Sequence, residues 1–203
     1  MRATRRPTLS RQAGFTLIES LIVLAVIGIL ILISAPAFLN MLNRFKLSGT
    51  TRELASLMQA ARLEAIKMNA PAHVNYDPTS NNFFAFVDLD RDEVLLAPPD
   101  RILGGRVIVP RKVDFWGPTD VAANGANAID GWDSPPTARL GPIFRPDGSV
   151  DRAGAFRLRD SNDNFLEVRV ATPATGRIVL RKWFPAESAF YLNGESGRKW
   201  VWY

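Results

Sequence analysis

Three groups of residues could do chemistry. Arg157, Arg159, Arg169, Arg177 and Arg181 lie at even spacing within three successive strand-like runs. Side chains alternate along a strand, so these five share one sheet face, and adjacent guanidinium groups can neutralise phosphates. Glu167 falls on that face too, and the plainer expectation is a solvated surface on which acid and base mix. The second group is Asp88, Asp90, Asp92 and Glu93 in "DLDRDE". Alternating acids can ligate Ca²⁺, but an EF-type loop needs a turn glycine and a distal bidentate glutamate. Neither stands at the right spacing, so a hairpin turn with solvated acids is expected. The third is His73, the single histidine in a chain without cysteine. Thiolate and His-rich metal sites are thereby excluded, and a structural role is expected for His73. No glycine-rich phosphate loop or nucleophile elbow occurs. No cofactor and no metal is expected, and nothing in the sequence argues for an enzyme.

A fourth residue is conspicuous for its surroundings. Glu19 stands at the start of a run, Leu21 to Ile33, that contains no charge and only Gly28 among Leu, Ile, Val, Ala. An ionised group in hydrocarbon costs about 2.5–3.5 kcal/mol on insertion scales, so it usually has a partner and a purpose. From Phe15 to Leu39 Glu19 is the one charged residue, and about 20 apolar helical residues span a bilayer. Arg2, Arg5, Arg6 and Arg11 precede the run with no acid among them, which predicts a cytoplasmic N-terminus. They also carry most of the net charge of +5. Without them the chain is close to neutral, its remaining basic excess lying toward the C-terminus.

Three fates are open to this segment. Ala35-Pro36-Ala37 fits a secretory signal peptide cut after Ala37. A plain signal anchor is the second. The third comes from the order Gly14-Phe15-Thr16-Leu17-Ile18-Glu19, which resembles the type IV prepilin (class III) signal. That resemblance implies cleavage between Gly14 and Phe15, N-methylation of Phe15, and a retained apolar helix. It also implies that Glu19 acts in assembly, pairing with the N-terminal amine of another subunit. Partners would then be prepilin peptidase, inner-membrane lipid, and other pilins or pseudopilins through the N-terminal helix.

The elements that position these residues follow from periodicity. After the apolar run, Leu47, Leu54, Leu57, Met58, Ala61, Ala65 and Met68 recur at three- and four-residue steps, predicting an amphipathic helical continuation. Pro71 ends it. A helix from Phe15 to about Asn69 would be roughly 80 Å long at 1.5 Å per residue, with Pro36 expected to kink it. Strand-like runs follow at "HVNYD", "FFAFVDL", "RVIVP" and "RKVDF". Residues 116–138 read as a long surface loop, rich in Gly, Pro, Asn and Ala. A three-strand meander comes next at 155–160, 165–171 and 177–183, with Phe156, Leu158, Leu166, Val168, Val170, Ile178 and Leu180 on its buried face. "GRKWVWY" could add a last strand.

The expected organisation is a leader at 1–14, a transmembrane segment at 15–39, an amphipathic helix at 40–70 and a periplasmic β-rich head at 71–203. The fold class is α+β, one long N-terminal helix packed on a β-sheet-rich head. That arrangement, with "IFRPDGSV" at 143–150, resembles the H-type minor pseudopilins of type II secretion, the GspH/FimT family. Similarity to that family implies a structural subunit of a periplasmic filament, near its tip. "GRIVLRK" in turn resembles the Gly-Arg-x-Arg motif of minor pilins that bind DNA during natural transformation. Gly176 and Arg177 match it, but Val179 stands where the second arginine belongs and Arg181 comes two residues later. A DNA-binding minor pilin of a type IV pilus is therefore the alternative, with nucleic acid as its partner.

Overall fold

The computed structural model describes residues 15–93, 99–118, 128–132 and 141–200. The leader at 1–14, Gly14 included, and most of the expected loop at 116–138 lie outside those residues. The chain divides into two compact units, Met1–Leu39 and Asn40–Tyr203.

Helix α1 (Leu17–Met68) has Pro36 inside it. Among its described residues none before Asn43 is buried. From there on the buried positions are Asn43, Leu47, Thr50, Thr51, Leu54, Ala55, Leu57, Met58, Ala61 and Ala65, a helical stripe of three- and four-residue steps. The helix ends before Pro71 for a reason that the sequence also holds. Asn69 takes φ +50°, its N–H donates to the Ile66 carbonyl, and the Ala70 N–H donates to that of Ala65. This is a Schellman ending, with asparagine at the left-handed position in place of the commoner glycine.

The strands that follow are β1 (Ala72–Asp77), β2 (Asn82–Val87), β3 (Arg101–Ile108), β4 (Val113–Phe115), β5 (Ile129–Asp130), β6 (Ile143–Phe144), β7 (Gly154–Asp160), β8 (Phe165–Thr172), β9 (Arg177–Phe184) and β10 (Ala189–Tyr191). They form two antiparallel sheets, one ordered β3-β2-β1-β6 and the other β10-β9-β8-β7-β4, with β5 also paired to β7. The second half of α1 and the inner faces of both sheets share one core. Phe83 of the first sheet meets Phe156 of the second at 5.1 Å between ring centroids, and Phe115 edge-on at 5.2 Å. Tilted and edge-on pairs at such distances are the favoured aromatic geometries.

The meander forms as expected, with Phe156, Leu158, Leu166, Val168 and Val170 buried and Ile178 and Leu180 packed against the core. Two expectations need correction. Residues 116–138 are not wholly loop, because Ile129 and Asp130 pair with Phe156 and Ala155. Among the described residues the last strand is Ala189–Tyr191, paired to β9; Gly197 to Trp200 of "GRKWVWY" form no strand, and the rest of that run lies outside the described residues. A turn at Asn193 and Gly194 follows β10, and Trp200 folds back so that its indole N–H reaches the Tyr191 carbonyl at 3.3 Å.

Candidate functional site

The start of α1 is closed by its own side chains. Thr16 is the N-cap: its Oγ1 accepts the Glu19 N–H at 3.3 Å, while Glu19 Oε2 accepts the Thr16 N–H at 3.2 Å. The Thr16 hydroxyl also donates to Glu19 Oε2 at 3.1 Å. This is a capping box, which satisfies two otherwise orphaned amides reciprocally. Thr16 is a residue the sequence reasoning missed, though Thr-x-x-Glu before an apolar run is its written signal. Beyond it, Leu21 to Ile33 is exposed throughout, and α1 is long and apolar enough to cross a membrane.

The arginine face differs from the solvated surface expected of it. Strand register places Arg157, Glu167 and Arg181 directly opposite one another across β7, β8 and β9. Glu167 is 0 % exposed and Arg157 only 2 %. Arg157 Nε lies 3.2 Å from Glu167 Oε2, and Arg181 Nη1 lies 2.9 Å from Glu167 Oε1. Asp130 of β5 joins from the side, its Oδ2 at 2.9 Å from both Arg157 Nη2 and Arg169 Nη1. Phe190 of β10 covers the row. Its ring lies 5.3 Å from the Arg157 guanidinium carbon, and its carbonyl accepts a hydrogen bond from Arg181 Nη2. Burial pushes the Glu167 carboxyl above its ordinary range, against the pull of Arg181, Arg157 and Arg169.

Arg159 stands apart, partly exposed, at 3.1 Å from Asp114 and 5.7 Å from the Trp116 ring centroid. Arg177 is exposed and has no ion-pair partner among the described residues. The five arginines thus do not form one free cationic surface. Arg157, Arg169 and Arg181 belong to a covered ion network, Arg159 to the rim, and Arg177 to a separate place beside α1. The neutralising acids Asp114 and Asp130 come from segments distant in sequence, which is why strand alternation alone did not reveal them.

The acidic turn is likewise only partly solvated. Asp88 is 0 % exposed and accepts the N–H groups of Arg91 at 2.6 Å and Glu93 at 2.9 Å. His73, 2 % exposed, stacks on Phe86 at 4.7 Å with its Nε2 3.4 Å from Asp88 Oδ2. Asp90, Asp92 and Glu93 remain exposed. One oxygen from each of Asp88, Asp90, Asp92 and Asp100 lies within 4.8 Å of the others. Lost solvation, with the charges of Asp92 and Asp100, raises the Asp90 carboxyl above its ordinary range.

An apolar helix opened by Thr16 and Glu19, and a β-rich unit whose core the later turns of that helix help to build, define the class of prepilin-like proteins. Residues 9–35 match the prokaryotic N-terminal methylation motif. Residues 50–176 match the family described as type II transport protein GspH, and the chain belongs to that family. Among solved structures it is similar to the minor pseudopilin EpsH from the Type 2 Secretion System of Vibrio cholerae. That similarity has 10 % identity and a TM-score of 0.42, covering 69 % of this chain and 98 % of the other. No curated protein matches it.

Proposed function

We propose that the protein is a minor pseudopilin of a type II secretion system, a structural subunit anchored in the inner membrane and built into a periplasmic filament. The observation that carries this reading is the exposed apolar stretch of α1 with Glu19 at its head, in a chain of the GspH family. Prepilin peptidase removes residues 1–14 by cutting between Gly14 and Phe15, and Phe15 is N-methylated. Residues 15–39 then remain in the bilayer, where Pro36, which has no N–H to give the preceding turn, bends the helix. Residues 40–203 lie in the periplasm. Glu19 offers its carboxylate to the amine of an incoming subunit. Within one chain the Thr16 hydroxyl and amide hold that carboxylate in the meantime.

The experiment is mass spectrometry of the N-terminal peptide from chain made alongside prepilin peptidase. A peptide beginning with N-methyl-Phe15 is expected. A chain beginning at Phe38 would overturn the reading, because the helix that anchors and assembles the subunit would be gone. The DNA-binding minor pilin is less favoured, since four of the five arginines are engaged with acids in the same head.

A further inference from the structure

Met41, Arg44, Phe45, Ser48, Gly49 and Arg52 recur at three- and four-residue steps on one face of α1 and line an open depression of about 440 Å³. No acidic residue lines it among the described residues. Its floor is open, because a Cβ on Gly49 would meet nothing within 4 Å. Phe45 is 64 % exposed and Met41 43 %, apolar surface that is poorly placed in water. Arg44 Nε is buried and has no hydrogen-bond partner among the described residues, a costly state for a charged group. The face is thus apolar at one end, cationic at the other, and lacks an anion.

The neighbouring strand shows the same imbalance. Burial, and then the charge of Arg44, push the Lys182 ammonium of β9 below its ordinary value, against the pull of the buried Asp160. An anion beside Arg44 relieves that repulsion. Position indicates which anion. Arg44 comes five residues after Leu39, about 7.5 Å of helical rise. The headgroup layer outside the hydrocarbon is about 5–7 Å thick on each side of a bilayer. Side chains of a helix lean toward its N-terminus, here toward the membrane, and arginine readily reaches to an interface.

We propose that this face binds the headgroup of an anionic phospholipid in the periplasmic leaflet. The Arg44 guanidinium and the Ser48 hydroxyl take the phosphate, while Met41 and Phe45 rest on the glycerol and the upper acyl chain. Arg52, one turn beyond Ser48, sets the preference among lipids. It repels the ammonium of a zwitterionic headgroup and tolerates one whose only charge is negative. Free phosphate is the poorer occupant, since it leaves Met41 and Phe45 uncovered. The proposal rests on the reading of residues 15–39 as the membrane anchor.

Full-length chain, purified in detergent and offered dioleoyl phosphatidylglycerol or dioleoyl phosphatidylethanolamine, is read by native mass spectrometry. The parent should retain phosphatidylglycerol about tenfold more than phosphatidylethanolamine. Arg44→Gln combined with Arg52→Gln should abolish that preference. Lys46→Gln should not, since Lys46 is exposed on α1 but does not line the depression. Phe45→Ser, at a position too exposed to matter for folding, should weaken retention of both lipids and serves if the arginine variant fails to fold. Equal retention of the two lipids by the parent, a loss as large in Lys46→Gln as in the arginine pair, or parental retention in Phe45→Ser overturns the proposal. So does displacement of the lipid by millimolar inorganic phosphate, or a complex between chains that forms as the lipid is shed. Absence of the preference in a chain whose N-terminal peptide begins with N-methyl-Phe15 removes the lipid site alone and leaves the filament reading standing.

Discussion

Thr16 and Glu19 hold each other: the threonine oxygen takes the Glu19 amide, and the Glu19 carboxylate takes the Thr16 amide and hydroxyl. The acid at the edge of the apolar run therefore has a partner before any other subunit arrives, which lowers the cost of carrying it. Thr16→Val keeps the branched shape and deletes the cap, worth about 1 kcal/mol in helices. Membrane insertion should persist, while the fraction of chain recovered in filament falls. Glu19→Val should insert at least as well and assemble worse still. Cross-linking to neighbouring subunits in membranes measures both, and parental assembly of Glu19→Val would refute the role given to this acid.

Glu167 makes a pH-dependent contribution whose sign is fixed. Its folded carboxyl lies above the ordinary value of 4.5, so the folded state favours the protonated form. That contribution is full below about 4.5 and is lost as pH rises through the folded value. Compared with Glu167→Gln, the parent chain should lose stability as pH climbs from 4 toward neutrality. Denaturant titrations of both proteins across that range give the difference curve, and a parent that gains on the variant would contradict the assignment.

Arg157 is a residue whose removal should be costly. Arg157→Ala leaves Glu167 buried with fewer counter-charges, and breaking a buried pair from one side typically costs about 3–5 kcal/mol. Arg159→Ala, on a partly exposed pair, should cost under about 1 kcal/mol. Thermal melts distinguish them, and equal losses would mean that the row across β7, β8 and β9 is not a buried network.

Nucleic-acid binding should be weak. With three of the arginines in the covered network, duplex affinity should be no tighter than the non-specific range of roughly 10⁻⁴–10⁻⁶ M at physiological salt. A fluorescence titration at two salt concentrations tests this. Tight binding lost in Arg177→Ala would favour the DNA-binding pilin instead.

Asn69 tests the helix ending. It occupies the left-handed position at φ +50°, so Asn69→Gly should be neutral or slightly stabilising, while Asn69→Val should destabilise by about 1 kcal/mol or more. Melting temperatures of the two variants decide it.

How much of this was legible depends on whether the signal is periodic. The stripe from Leu47 to Ala65 and the inward face of Phe156, Leu158, Leu166 and Val168 were readable, because burial repeats with the geometry of helix and strand. The outer face of the meander was not. Alternation placed Arg157 and Arg181 correctly on one side, yet it carries no information on what lies above a sheet. Phe190 and Asp130 provide that cover, and Asp130 sits in a segment whose glycines and prolines read as loop. Thr16 is legible as well, because Thr-x-x-Glu ahead of an apolar run is the spacing of a capping box.

Two hydrogen bonds stand near the point where burial begins. Asn43 Nδ2 donates to Ser161 Oγ at 3.0 Å, and Asn162 Nδ2 donates to Asn40 Oδ1 at 3.2 Å, both reaching the turn between β7 and β8. Both links tie the first buried turn of α1 to the turn between β7 and β8, so the place where the helix leaves the core is fixed by amide hydrogen bonds as well as by the burial of Leu47 and Leu54.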